Sequence, residues 1–365
     1  MLNKATVVLF VGIVFGFAAL LLLLPKNVYS DDENRYLATF PEISLEKVMN
    51  GQWMDELEQF VDDQFPSRLN WIELKTNIEM ALGKKESNGV YITDEGHYIE
   101  SFKQYDEKQL QKNVNAINAF SEQLKEKYGL PLQVMLVPTA STVLSYKLPA
   151  YNLELNQYDE IQKLANENFD LISVNEALEK HKEEYIYYYT DHHWTSLGAY
   201  YSYKAWKKET LPLEAYVSET LSTDFLGTLY SKVKVEPRNK DTMMAHYLEG
   251  EQQVEYNLTG QFNNTFYERS FLNKKDKYSV YFNGNQPVTK IKGYGSNGKL
   301  LIIKDSYANT FAQFAVADYS EVHLIDLRSF SMPVSQYIDM MQIDEVLLLY
   351  NYKNFTEDNH LYLLR

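Results

Sequence analysis

The stretch Leu300-Leu301-Ile302-Ile303-Lys304-Asp305-Ser306 decides the fold of this chain. Its four consecutive large aliphatic residues are typical of a strand that is buried on both faces, as in a parallel sheet. The residues from Asn309 to Val316 are compatible with a helix. Ser306 therefore stands at a strand-to-helix turn, where we expect its hydroxyl to be exposed and the N–H groups of the helix start to point toward it.

Short apolar runs alternate with helix-compatible segments on both sides of this stretch. Further strands are predicted at Leu132 to Pro138, Leu171 to Val174, Val322 to Ile325 and Val346 to Leu349. Helices are predicted at Ser44 to Phe60, Leu69 to Leu82, Lys108 to Tyr128, Ile161 to Phe169, Asn175 to Lys182, Leu197 to Leu211 and Ser335 to Met341. Such alternation predicts a mostly parallel sheet covered by helices, with ligands at the carboxyl ends of its strands.

Two segments depart from this rhythm. Val90 to Ile99 has the alternation of a hairpin. Residues 224–290 contain short alternating stretches, such as Tyr278 to Phe282, between Asn- and Gly-rich turns. We therefore expect a β-rich insertion there.

The segment from Tyr185 to Thr195 contains a carboxylate and two imidazoles that could act together with Ser306. Tyr185 to Tyr189 is strand-like, so we expect it to deliver Asp191 and His193 to the sheet edge that also carries Ser306. A serine hydroxyl needs a base to accept its proton and a carboxylate to orient that base.

The spacing suggests which histidine is that base. In an extended segment the side chains at i and i+2 leave the same face, so Asp191 can orient His193 directly. His192 would project to the other side as a structural or supporting residue.

Two other interpretations of this segment stay open. It could be a polar loop with capping duties, or Asp191, His192 and His193 could ligate zinc. Adjacent histidines in a strand point apart, and no third histidine stands at metal-ligand spacing. We therefore expect no metal, and the sequence contains no cofactor motif.

The Asp191-His192-His193-Trp194 motif resembles the DHHW family. That family is similar to the alginate O-acetyltransferases of the SGNH-like superfamily, in which a D-x-H-W motif precedes a serine in a D-S context. Other pieces that look like the family are Glu33-Asn34-Arg35, Phe65-Pro66-Ser67-Arg68, Asn88-Gly89-Val90-Tyr91, Val137-Pro138, Phe225-Leu226-Gly227-Thr228 and Asp326-Leu327-Arg328. The resemblance implies an SGNH-like, flavodoxin-like fold with a catalytic triad of Asp191, His193 and Ser306 in permuted order.

Further residues are candidates for binding substrate or an oxyanion. The backbone N–H of Ser306 is the first candidate oxyanion donor, and the second would come from the Gly227-Thr228 turn or from the side chain of Asn351. Asp305 is expected to cap the following helix.

Three further side chains have two interpretations each. Arg328 could hold a substrate carboxylate or pair with Asp326. Trp194 could stack on a sugar ring or belong to the core, and Tyr307 is equally undecided.

The N-terminus indicates the compartment. Residues from Ala5 to Leu24 contain no charged side chain and are long enough to cross a bilayer as a helix. No A-x-A-like cleavage site follows, so we expect an uncleaved, single-pass signal anchor rather than a cleaved signal peptide, with the rest of the chain outside the cytoplasm. The predicted organisation is an anchor at 1–25, a linker with juxtamembrane helices at 26–85 and a catalytic domain at 86–365.

Composition narrows the function further. The chain has no cysteine, which excludes disulfides and thiolate catalysis, and its net charge of −15 argues against nucleic acid as a partner. A hydrophobic content of 45% over this length is sufficient for a large core.

Together with the resemblance, these features predict a membrane-anchored O-acetyltransferase of a cell-envelope or secreted polysaccharide. The resemblance implies that a membrane acyltransferase partner supplies the acetyl group. A carbohydrate esterase with the same triad, and an inactive polysaccharide-binding scaffold, are the alternatives.

Overall fold

The computed structural model describes residues 3–33 and 35–364, so Asn34 of the Glu33-Asn34-Arg35 motif lies outside it. The helices are α1 Lys4–Leu23, α2 Leu45–Met49, α3 Gln52–Gln64, α4 Arg68–Ala81, α5 Glu107–Tyr128, α6 Ala140–Val143, α7 Gln157–Gln162, α8 Asn175–Lys180, α9 Ser196–Trp206, α10 Thr228–Val233, α11 Ala308–Ala315, α12 Val334–Met341 and α13 Tyr352–Glu357. The strands are β1 Tyr29–Ser30, β2 Arg35–Tyr36, β3 Glu86–Ser87, β4 Val90–Ile92, β5 Tyr98–Glu100, β6 Leu132–Val137, β7 Asp170–Leu171, β8 Val217–Phe225, β9 Asp241–Tyr247, β10 Val254–Tyr256, β11 Phe262–Asn263, β12 Val288–Lys292, β13 Asn297–Lys304, β14 Tyr319–Ile325 and β15 Glu345–Asn351.

An eight-stranded sheet forms the centre of the larger of two compact units, which contains residues 89–229 and 237–365. The strand order is β11-β10-β12-β14-β13-β15-β6-β7. The five strands from β14 to β7 pair in parallel, whereas β12, β10 and β11 extend the sheet in antiparallel fashion. The predicted mixed α/β architecture with a mostly parallel sheet is confirmed.

The central strand β13 is covered on both faces. Leu300 and Ile302 belong to one apolar cluster, with side chains of α9 and α11. Leu301 and Ile303 belong to a second cluster, with side chains of α5 and α12. Because side chains alternate along a strand, an unbroken aliphatic run supplies both cores at once, as the sequence predicted.

The predicted β-rich insertion is only partly correct. β8 and β9 form a separate antiparallel pair with two register shifts, but β10 and β12 join the main sheet. Tyr278 to Phe282, predicted to be a strand, instead begins in a 3₁₀ turn, Lys277–Val280. The aromatic rings in this stretch point into the core, and their burial rather than strand pairing explains the alternation.

A second correction concerns Tyr185 to Tyr189. This segment is not a strand of the sheet and makes only an isolated antiparallel bridge between Tyr187 and Trp194. The N–H of Tyr188 donates to the carbonyl of His193 at 3.2 Å, so the intervening residues form a tight turn. Asp191 and His193 are therefore presented by a turn and not by a strand end.

The smaller compact unit contains residues 1–88 and 230–236. The helix predicted from Ser44 to Phe60 is broken at Gly51, whose φ of 85° lies in the left-handed region. Ser44 caps α2 as predicted, its hydroxyl accepting the N–H of Lys47 at 3.2 Å. α1 is long and apolar enough to cross a membrane, by length and composition alone.

Candidate active site

Ser306 lies in the turn between β13 and α11 and is partly exposed, whereas its neighbours on both sides are buried. The buried carboxylate of Asp305 holds this turn. One of its oxygens accepts the N–H of Tyr307 at 2.9 Å, and the other accepts Nδ2 of Asn351 at 2.8 Å and Nδ2 of Asn354 at 2.9 Å. Asp305 thus ties the serine turn to the start of α13. The prediction that Asp305 caps the following helix is wrong, because the N-cap of α11 is Tyr307 and no side chain caps it.

A chain of hydrogen bonds joins Asp191, His193 and Ser306. Oδ1 of Asp191 lies 2.5 Å from Nδ1 of His193, and Nε2 of His193 lies 2.7 Å from Oγ of Ser306. Because an ionised carboxylate only accepts, Nδ1 carries the proton and Nε2 presents its lone pair to the serine hydroxyl. The geometry therefore allows His193 to take the proton of Ser306.

Burial controls the protonation of both groups. Burial, helped by the charge of His192, lowers the pKa of His193 to about 4, although Asp191 opposes the shift. Burial alone would raise the pKa of Asp191, but the two histidines and the hydrogen bonds from His193 and Thr228 hold it well below its usual range. At neutral pH the pair is thus a carboxylate beside a neutral imidazole, which is the state that a general base requires.

The Gly227-Thr228 turn supports Asp191 and does not face the serine as an oxyanion donor. The N–H of Thr228 donates to Oδ2 of Asp191 at 2.8 Å, and the N–H of Gly227 donates to Oγ1 of Thr190 at 2.9 Å. A Cβ at position 227 would lie 2.3 Å from Cβ of Asp191, so only glycine fits there. The prediction that this turn completes an oxyanion hole is wrong, because both N–H groups already have acceptors.

Asn351 keeps one possible oxyanion donor. One N–H of its Nδ2 donates to Asp305, and its Oδ1 accepts the N–H of Asn354 at 2.9 Å, so the second N–H of Nδ2 has no protein acceptor within the described residues. The N–H of Ser306 also donates to no protein acceptor there, so these two groups remain candidates among those that the sequence suggested.

The structure places Trp194 in the core and gives Arg328 an acidic partner. Trp194 is fully buried and donates its Nε1–H to the carbonyl of Tyr307 at 2.9 Å, so it cannot stack on a sugar ring. Arg328 makes a two-point contact with Asp326, from Nε at 2.8 Å and from Nη2 at 2.5 Å.

Tyr307 is also buried, and it contacts the backbone of the segment that carries the two histidines. Its hydroxyl donates to the carbonyl of His192 at 2.5 Å. The ring of Tyr307 therefore fixes the backbone next to the base, and its hydroxyl is not free to bind substrate.

His192 does not project away from His193, as an extended segment would require. The two ring centroids are 3.9 Å apart, and Nδ1 of His192 lies 2.6 Å from Oγ1 of Thr228. Asp191, His192 and His193 bring one ligand atom each within 4.8 Å of one another. Both nitrogens of His193 are already engaged by Asp191 and Ser306, so a metal here would have to break the hydrogen-bonded chain.

Tyr278 is a site residue that the sequence did not suggest. Its ring stacks on that of His193, with centroids 3.8 Å apart and planes at 9°. Its hydroxyl donates to the carbonyl of Ser306 at 3.1 Å. Tyr278 thus contacts both the base and the serine turn.

Asp241 is a second residue that the sequence did not suggest, because β9 lies far from the motif in the chain. Its buried carboxylate accepts the N–H groups of Tyr189 at 2.6 Å and Thr190 at 2.8 Å, and also the hydroxyls of Tyr185 and Thr190. Burial raises the pKa of Asp241 to about 6, against the effect of these donors. The carboxylate fixes the turn that presents Asp191.

A small cleft adjoins the site. Its lining combines polar and apolar side chains from several elements, namely Glu100, Thr139, Ala140, His192, Leu229, Tyr307, Asn351 and Asn354.

Comparison with known proteins identifies the family. Residues 73–325 match the family model described as DHHW protein. The chain therefore belongs to the DHHW family. A search of curated proteins finds no match.

Solved structures with the same fold include two with nearly complete coverage of their own chains. A DHHW family protein from Eubacterium siraeum DSM 15702 is 26% identical, with 76% of this chain and 95% of that chain covered and a TM-score of 0.65. Bacillus cereus PatB1, solved with a sulfonyl adduct, is 19% identical, with 76% and 98% covered and a TM-score of 0.63.

Proposed function

We propose that this chain is an O-acetyltransferase that acts outside the cytoplasm on a cell-envelope or secreted polysaccharide. The single observation that carries the proposal is the hydrogen-bonded chain from Asp191 through His193 to Ser306 at a strand-to-helix turn. Membership of the DHHW family supports it, because the family resembles SGNH-like O-acetyltransferases. In this proposal the triad occurs in the permuted order Asp, His, Ser.

The first half-reaction would transfer the acetyl group to the enzyme. Oγ of Ser306 attacks the carbonyl carbon of the acetyl donor while Nε2 of His193 accepts the hydroxyl proton. Asp191 stabilises the resulting imidazolium, and the N–H of Ser306 stabilises the oxyanion. The bond to the leaving oxygen then breaks, His193 returns the proton to that oxygen, and acetyl-Ser306 remains.

The second half-reaction would acetylate the polysaccharide. A sugar hydroxyl attacks the acyl carbon while His193 accepts its proton, and the ester bond to Ser306 breaks. His193 then protonates Oγ of Ser306, so the enzyme returns to its starting state without a metal or other cofactor.

The proposed organisation follows the sequence prediction, with an anchor at 1–25, a juxtamembrane segment at 26–85 and the catalytic domain at 86–365. The apolar α1 supports single-pass anchoring. Because the catalytic domain would lie outside the cytoplasm, we propose that a membrane acyltransferase supplies the acetyl group.

The proposal is tested by supplying the purified full chain with an activated acetyl ester, with and without oligosaccharides from the host's envelope polymers. We expect acetylated sugar as the product and faster ester consumption when the acceptor is present. A carbohydrate esterase would release acetate at the same rate in both samples and leave every sugar unmodified. An inactive scaffold would consume no ester at all.

A further inference from the structure

The outer face of α4 is apolar and uncovered. Trp71, Leu74, Ile78 and, just after the helix, Leu82 are 45%, 48%, 52% and 76% exposed. Their spacing of three or four residues places them on one side of the helix, and we call them the α4 stripe. The opposite side also carries apolar side chains, and Ile72 and Met80 there are half-buried.

This distribution is unusual for a helix at a water-facing surface. A helix that is apolar on opposite sides is normally buried on both of them. One side of α4 packs within its own unit, so the α4 stripe requires a second apolar environment.

A contact with α1 indicates which environment this is. The ring of Trp71 lies edge-on to the ring of Phe17, with centroids 5.7 Å apart. The ring of Phe65 stacks on the ring of Phe17, with centroids 5.1 Å apart. At roughly 1.5 Å per residue, Phe17 lies about 9 Å before the end of α1. An interfacial helix buries its apolar face about 5–10 Å into the boundary between headgroups and acyl chains, which is the same depth.

We infer that the α4 stripe is a membrane-interface surface that lies against the outer leaflet of the bilayer crossed by α1. The inference rests on the membrane anchoring proposed above. The stripe begins at the residue that touches the apolar span, so the bilayer is the apolar phase next to it. A contact surface for a second copy of the chain would have no reason to begin at the residue that touches α1. Two attachments would then restrict how the juxtamembrane helices move relative to the membrane.

Single-cysteine labelling tests this surface, because the natural chain contains no cysteine. An environment-sensitive fluorophore is attached to Ile78→Cys or Leu74→Cys in the full chain, reconstituted in phosphatidylcholine vesicles. Glu73→Cys, on the exposed edge of the same helix, is the matched control, and Gly12→Cys in α1 reports insertion of the anchor. Circular dichroism verifies folding of each variant, and sulfonylation of Ser306 by a sulfonyl fluoride is measured in the same samples.

We expect the fluorophores at 78 and 74 to be quenched by spin-labelled lipid and protected from aqueous iodide, whereas the one at 73 is quenched by iodide. A probe at 12 in lipid together with a probe at 78 open to iodide would overturn the inference and leave the anchor standing. If the fluorophore at position 78 is protected from iodide but not quenched by lipid, and cysteines at position 78 of two chains crosslink, the α4 stripe is an interface with a second copy of the chain.

If the probes at 12 and 78 are both open to iodide, the anchor and the α4 stripe fail together. The proposed chemistry is judged separately by the reactivity of Ser306 in the same samples. If only Ser306 fails to react in variants that show lipid quenching at 78, the surface is supported and the proposed catalytic function is contradicted.

Discussion

His193 can act as the base because burial keeps its imidazole neutral, although Asp191 opposes this effect. Asp191 holds Nδ1, Ser306 contacts Nε2, and Tyr278 covers one ring face. His192 lies beside it but bonds to Thr228 instead of the serine. The two neighbouring histidines therefore have separable roles.

Replacement of these histidines should have unequal effects. His193→Ala should lower the rate of transfer by about 10²- to 10⁴-fold, because it removes the group that accepts the serine proton. His192→Ala should cost much less, since it leaves the hydrogen-bonded chain intact. Rates of ester consumption and circular dichroism of both variants check this, and the opposite order of rates would overturn the assignment of the base.

Tyr278 should set the pH dependence of the reaction as a positioning residue. Burial lowers the pKa of His193 to about 4, so activity should persist from pH 7 to mildly acidic pH and be lost as the pH falls through that value. Tyr278→Leu should admit water to the imidazole, raise its pKa toward the ordinary value and move the acidic limb of the pH–rate profile upward.

Tyr278→Phe is the matched control, because it keeps the ring and removes only the hydroxyl that donates to Ser306. Its acidic limb should stay near that of the natural chain. If the leucine variant loses activity equally at every pH, with no displacement of the limb, Tyr278 supports the fold alone.

Individual elements show what could be predicted from the sequence and what could not. The bounds of α5 were predicted nearly to the residue, and the buried centre of β13 was predicted although this strand begins three residues earlier, because a helical period and an aliphatic run are local signals. The turn that presents Asp191 was not, since it depends on Asp241, about fifty residues away in the sequence. The strand-like pattern at Tyr185 to Tyr189 reflects buried tyrosines rather than strand pairing.

Asp241→Asn should destabilise the turn that carries Asp191. An amide nitrogen cannot accept, so at least one buried donor among the N–H groups of Tyr189 and Thr190 would lose its acceptor. We expect a loss of about 1–3 kcal/mol in the free energy of unfolding. Urea unfolding measures it, with Asp224→Asn, an exposed carboxylate paired with Lys277, as the control that should change stability little.

Within the whole molecule, the sequence indicated the position of Ser306, because this residue follows the carboxyl end of a parallel strand. It did not indicate the turn that brings Asp191 and His193 to the serine. It could not indicate which N–H groups remain free, because that depends on contacts between loops that are distant in the sequence. The N–H of Gly227 donates to Thr190, and Nδ2 of Asn351 donates to Asp305. The oxyanion candidates were reduced from three to two, the N–H of Ser306 and one N–H of Asn351 Nδ2, for this reason.

The anchor predicts that α1 stays part of the protein in its membrane. If α1 is not cleaved, the chain extracted from membranes should have a mass that includes the segment Lys4–Leu23. Intact-mass spectrometry of membrane and culture-fluid fractions measures this. A shortened soluble form would mean that the N-terminal segment is a signal peptide.

The most direct test of the central claim is the site of the acyl group. The full chain is mixed with an activated acetyl ester, quenched in acid and mapped by peptide mass spectrometry. We expect acetylation of Ser306 in the natural chain, none in Ser306→Ala, and little in His193→Ala. An acetyl group on another residue, or equal turnover by Ser306→Ala, would contradict the central claim.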